Sequence, residues 1–76
     1  MNMKVVVKIR ALLEDRGLSL RELSRLTDIR HATLSELQNG KRENINFGHI
    51  ERIAEALHIT DIRDIIDLIH NEETAK

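Results

Sequence analysis

Residues 18–41 read LSLRELSRLTDIRHATLSELQNGK, and the way this stretch bends decides the fold. Ser19-Leu20-Arg21-Glu22 has the form of a capping box, in which the serine oxygen accepts from the amide of residue 22 and the glutamate reaches back. Leu18, just ahead of the cap, is placed to staple onto Leu23. Leu20, Leu23 and Leu26 supply the buried side of the helix that opens here, and Thr27-Asp28 ends it. The next helix runs from about Arg30 to Asn39 and is closed by Gly40. Its only large apolar residues are Leu34 and Leu37. Ser24 is small enough for two short helices to cross closely, and Ile29 plugs the gap at the turn. Two short helices around a turn of about 3–4 residues form a helix-turn-helix.

The outer face of the later helix is unusual in composition. Most surface helices carry long charged side chains, whereas this one shows His31, Ala32, Thr33, Ser35 and Glu36. A helix that lies in the DNA major groove has to bring its backbone close to base edges. Small residues permit that approach, and polar ones match the donors and acceptors presented there. The helix N-terminus also suits phosphate electrostatically.

The remainder of the chain is built to support a small domain. Seventy-six residues make a single domain, and a chain of this size buries only about 60% of its unfolded surface. Proline is absent and glycine occurs only at 17, 40 and 48, punctuation that favours helices. Without cysteine there is no disulfide framework and no sulfur-based metal site. The expected setting is reducing and cytoplasmic, with no signal peptide and no run approaching the roughly 20 apolar residues of a membrane span. The net charge of −1 is unevenly spread: residues 1–42 carry +4 and residues 43–76 carry −5. Such asymmetry can give one basic face and one acidic face; its plainer reading is two solvated surfaces.

Outward from the central stretch, Ile9, Leu12 and Leu13 form a helical stripe stopped by Gly17. Val5-Val6-Val7 before it favours a short strand or arm over residues 1–7, able to pair with the C-terminus or with a second copy. Asn46 caps a fourth helix with the stripe Phe47, Ile50, Ile53, Ala54 and Leu57. After Thr60-Asp61, the residues Ile62, Ile65, Ile66 and Ile69 follow helical spacing, although Leu68 and Ile69 can also turn extended. Residues 71–76 read as a frayed polar tail. The expected fold is a compact all-α, five-helix domain filling residues 1–76, with a short N-terminal strand as an option.

The stretch LSLRELSRLTDIRHATLSELQNGK resembles the helix-turn-helix core of the Cro and lambda-repressor-like family, and AEALHI at 54–59 resembles that family's fourth-helix ending. The resemblance extends over residues 8–66 and implies a five-helix lambda-repressor-like fold. It also implies sequence-specific binding of duplex DNA by a transcriptional regulator, most often a bacterial or phage repressor. Three positions depart from the family pattern. Leu20 stands where glutamine is usual and often helps hold a phosphate, Asp28 replaces the turn glycine, and Ser24 replaces alanine. Aspartate tolerates the left-handed conformation better than most residues, so the turn can survive.

Carried over by position, the base-reading residues are His31, Ala32, Thr33 and Glu36. Histidine can donate or accept at a purine edge, the alanine and threonine methyls can touch a thymine methyl, and glutamate can accept from a cytosine amine. Arg30, Asn39, Lys41 and Arg42 are the phosphate-clamp candidates, followed by Arg21 and Arg25. The alternative for both sets is an ordinary solvated surface. Val5, Val6, Val7, Ile62, Ile65, Ile66 and Ile69 could form a homodimer interface, or could simply complete a small core. A dimer would read two half-sites about 34 Å apart.

His49, His58 and His70 share no metal-ligand spacing, and no phosphate-loop, dinucleotide or zinc-protease motif is present. No enzyme activity and no cofactor are expected. The rival to a DNA-binding regulator is an antitoxin or adaptor that docks a protein partner, a toxin or another regulator. The net charge, Glu36 on the reading face and the acidic second half favour that rival.

Overall fold

The computed structural model describes residues 2–41 and 43–70; Arg42 and the expected tail at 71–76 lie outside the described residues. The element order is β1 (Met3–Val7), α1 (Ile9–Arg16), α2 (Leu20–Thr27), α3 (His31–Gln38), α4 (Phe47–Leu57), a single 3₁₀ turn (Ile62–Asp64) and β2 (Ile66–His70). The four helices enclose a core of Ile9, Leu12, Leu13, Leu23, Ile29, Leu34, Leu37, Ile50, Ile53, Leu57, Ile59 and Ile65. No helix among the described residues is long and apolar enough to cross a membrane.

Helix boundaries follow local chemistry. Gly17 ends α1 at φ 66°, and the following amide, Leu18 N–H, donates to the Leu13 carbonyl at 2.9 Å, a left-handed stop that glycine adopts without strain. The capping box of α2 is complete: Glu22 N–H donates to Ser19 Oγ at 3.1 Å, and Ser19 N–H donates to Glu22 Oε1 at 2.8 Å. Asn46 caps α4 by accepting from Gly48 N–H at 2.7 Å. The α1 and α4 C-termini are tied by Arg16, whose guanidinium donates to the Leu57 carbonyl at 2.5 Å.

The expected fifth helix does not form. Its isoleucines instead build the 3₁₀ turn and then β2, which pairs antiparallel with β1 in the register Met3↔His70, Lys4↔Ile69, Val5↔Leu68, Val6↔Asp67 and Val7↔Ile66. The domain is therefore mostly helical, with four helices and a two-stranded sheet, and is not all-α. Valine and isoleucine lose side-chain freedom in a helix and fit a pleated surface. Val5–Val7 offers this segment a partner strand whose backbone bonds a terminal helix would leave unused. Asp61 starts the turn by accepting from Arg63 N–H at 2.9 Å while its carboxylate pairs with the Arg63 guanidinium at 2.8 Å. Of the four isoleucines only Ile65 is in the core, at 0% exposure; Ile66 packs against the core from the sheet, and Ile62 and Ile69 face solvent.

Two other expected core residues also lie outside. Leu26 is exposed, and Thr27 takes its place in the buried face of α2. Measured from Leu23 at about 100° per residue, Leu20 and Thr27 fall on one side, and Leu26 falls roughly 60° to the other. The Thr27 hydroxyl is satisfied inside by donating to the Leu23 carbonyl at 2.7 Å. Phe47 fits the α4 stripe by spacing but is 77% exposed, because it sits one turn beyond the last core residue, Ile50.

The capping and turn carboxylates make the fold acid-sensitive. The Ser19 amide, then the Ser19 hydroxyl, hold Glu22 below its ordinary value, and Arg63 pulls Asp61 down to about 2. A carboxylate held below its unfolded value stabilises the folded state above that unfolded value, and the contribution fades as pH falls through the folded one. The melting temperature should therefore fall between the ordinary carboxylate range and about pH 2, and Ser19→Ala should cost roughly 1 kcal/mol at neutral pH. Thermal melts of both proteins across this range check the expectation.

Candidate nucleic-acid interface

The site begins at the junction of α2 and α3. Asp28 caps α2 in the left-handed region at φ 58°, with its N–H donating to the Ser24 carbonyl at 2.9 Å. Ser24 Oγ donates to the Ile29 carbonyl at 2.5 Å, and the Ile29 N–H reaches Thr27 Oγ1 at 3.4 Å. Ile29 itself is 2% exposed. The residue whose side chain serves as a plug thus also has both its backbone groups bonded by α2 hydroxyls. Ser24 in place of alanine strengthens the turn with a bond that alanine lacks. Arg52 of α4 adds a long contact from its guanidinium to the Asp28 carbonyl at 3.5 Å.

From this junction α3 runs across the surface, anchored beneath by Leu34 and Leu37 at 0% and 3% exposure. His31, Ala32 and Glu36 are exposed, while Thr33 and Ser35 are half-buried. At about 100° per residue, Ala32, Glu36 and Asn39 form the crest opposite the two leucines. His31 and Ser35 lie on one flank of that crest and Thr33 on the other. No side chain caps the N-terminus of α3, where Arg30 stands exposed in the cap position. The first amides of α3 therefore lack the side-chain acceptor that Ser19 provides to α2, which leaves a partial positive charge at this end.

The cationic candidates divide into two groups. Arg30 lies at the start of α3 with Arg21 and Arg25 exposed on α2, and Lys41 lies exposed just past its end. The turn at the end is closed by Gly40, at φ 70°, and by Lys41 N–H donating to the Glu36 carbonyl at 2.9 Å. Asn39 is held by two neighbours: its Oδ1 accepts from the Arg10 guanidinium at 3.1 Å, and its Nδ2 donates to Ser35 Oγ at 3.5 Å. Arg10 is the residue that sequence reasoning missed. It lies 29 positions away on the exposed side of α1, and only the packing of α1 against α3 brings it to this end. Arg42 lies outside the described residues.

The resulting surface is a slender helix crest with cations at both ends, raised on a hydrogen-bonded two-helix corner. A family model described as the Cro/C1-type HTH DNA-binding domain matches residues 8–71. The chain belongs to that family. The match takes in every element from α1 to β2. Among solved structures, the chain is similar to "transcriptional regulator VanUg", crystal form II, with 30% sequence identity over 93% of this chain and 92% of that one and a TM-score of 0.72. No curated protein sequence matches the chain.

The turn supplies a test of how this domain tolerates its aspartate. A non-glycine residue in the left-handed region costs roughly 1–2 kcal/mol, least for Asp and Asn. Asp28→Gly should be neutral or slightly stabilising, whereas Asp28→Val should destabilise by about that amount. Denaturant titration of both variants against the parent checks it.

Proposed function

We propose that this domain binds duplex DNA sequence-specifically as a transcriptional regulator, acting as a repressor of bacterial or phage origin. The observation that carries the reading is the crest of α3, slim and exposed above two fully anchored leucines. A crest with alanine near its start, flanked by serine and threonine, leaves room for the backbone to enter a groove about 12 Å wide. In this reading His31, Ala32, Thr33 and Glu36 face base edges. Glu36 favours a cytosine amine and disfavours a misplaced phosphate, so it adds selectivity at some cost in affinity.

Arg30, Arg21 and Arg25 hold the backbone on one side of the groove, and Asn39, Lys41 and Arg42 hold it on the other. Phosphate contacts set the register of the helix and supply the salt-dependent affinity. The Arg10–Asn39 bond fixes the amide at the far end and adds a cation beside it. A single domain reads only a few base pairs, so two copies on a palindrome give the usable specificity. Occupying DNA that polymerase requires is then sufficient for repression, with no cofactor and no catalytic step.

Docking of a protein partner, such as a toxin or another regulator, has a further observation in its favour beside the charge pattern: Phe47, the sole Phe, Tyr or Trp residue, stands 77% exposed. A lone apolar side chain at a helix start is a small anchor, and the α3 crest is the larger organised surface.

Selection of bound sequences from a random duplex pool should return one motif with two-fold symmetry. On that duplex, log affinity should fall linearly with log salt. Lys41→Ala should weaken all sequences alike and reduce the slope by about 1. Thr33→Ala or Glu36→Ala should change which base is preferred, at about 1–3 kcal/mol per lost contact. A pool that yields no enriched motif at low salt contradicts the proposal.

A further inference from the structure

Among the described residues no third strand pairs with either edge of the two-stranded sheet, and the two edges differ. Lys8 N–H donates to the Ile65 carbonyl at 2.6 Å, in phase with the β1–β2 ladder. Antiparallel pairs alternate between bonded and non-bonded, so Lys4 and Val6 turn their backbone groups toward β2. Met3, Val5 and Val7 turn theirs outward. On the opposite edge, the outward residues are Ile66, Leu68 and His70. There the central donor is already taken: Leu68 N–H donates to Asp67 Oδ1 at 2.7 Å. A charged side chain that occupies an edge donor is one way proteins close an edge to further strands. The β1 edge has no such guard, and among the described residues no other segment bonds to it.

Beside this open edge lies a groove of about 780 Å³, bounded by Lys4–Val7 and Ile66 on one side and by Leu37, Gly40 and Ile45 on the other. Met3 and Val5 project, 41% and 61% exposed, beyond the part of the sheet that packs on the core; their cross-strand neighbour Leu68 is 57% exposed.

We propose that the β1 edge is the self-association surface of this domain, and that a second copy adds its own β1 antiparallel to form a four-stranded sheet. This deepens the two-copy reading above by naming its surface. The strand is self-complementary when Val5 lies on the two-fold axis. Met3 then opposes Val7 of the second copy, and Lys4 opposes Val6, so no like charges meet. Met3 of the second copy falls beside Val7, over the groove. Along the other face the row reads Ile69, Lys4, then Val6 and Asp67 of the second copy. Strands lie about 4.8 Å apart, so Lys4 and that Asp67 are roughly 10 Å apart at the backbone, and the two side chains span the gap. The unlike charges favour this register over its neighbours. A two-stranded sheet is marginal alone, whereas more strands over an apolar face are stable.

The test is sedimentation of the full chain without DNA. The parent should sediment as a dimer at accessible concentrations. V5K and V5E, which place like charges on the axis, should each weaken the dimer by at least about tenfold. Mixing V5K with V5E should restore a dimer, and L26K, at an exposed position of α2 away from the sheet, should leave association unchanged. Thermal melts establish that each variant is folded, since the Val5 side chain is largely solvent-facing. A parent that stays monomeric at every concentration, a V5K variant as dimeric as the parent, or a mixture that fails to associate overturns the proposal. A monomer that still selects a DNA motif overturns this interface alone. A dimer that binds no duplex overturns the DNA reading alone.

Discussion

The corner between α2 and α3 is the constraint on which the rest of the domain depends. Its geometry comes from few groups: a left-handed Asp28, a buried Ile29, and two hydroxyls that satisfy the backbone of Ile29 from within α2. A buried backbone group without a partner costs on the order of 1–3 kcal/mol, so Ser24 and Thr27 make it feasible to bury the turn at all. With Ile29 buried at the turn, Leu34 and Leu37 hold α3 against the core from beneath. The outward crest stands apart from the core, and of its residues Asn39 is tied back to Arg10 and Ser35.

The same division of labour explains the distribution of charge. Most basic residues lie in the first 42 positions, among them Arg10 at the start of α1 and those on and beside α2 and α3, and most acidic residues lie in the second half of the chain. A net charge of −1 is no obstacle when the field that a polyanion meets is local, since screening limits exposed charges to about 10 Å at moderate salt. Arg10 illustrates how packing concentrates that field: a residue from the start of α1 is delivered to the far end of α3.

Legibility in the sequence followed the locality of the signal. Ser19-Leu20-Arg21-Glu22 contains its whole capping box within four residues, so the start of α2 could be read directly, as could the Asn46 cap and the glycine stop at 17. The corner was readable because Ser24, Ile29, Leu34 and Leu37 lie within one short stretch. The last segment was different. Ile62, Ile65, Ile66 and Ile69 carry a true helical spacing, yet their conformation is decided by Val5–Val7, some sixty residues away, which local periodicity cannot register. Leu26 and Phe47 were misplaced for a related reason: a stripe gives the face of a helix but not where the neighbouring elements stop covering it. Ile65, grouped with the interface residues by pattern, belongs to the core. Asp67, which no pattern singled out, closes one edge of the sheet.

The central claim is that the crest of α3 is the surface that meets nucleobases. The most direct measurement is the movement of backbone amide resonances when a selected duplex is titrated into the labelled domain. The account predicts the largest changes at His31–Glu36 and Asn39–Lys41, smaller ones at Arg21 and Arg25, and little at residues 50–57 or in the sheet beyond the dimer edge. Changes concentrated around Phe47 and the outer side of α4, with α3 unmoved, would contradict it.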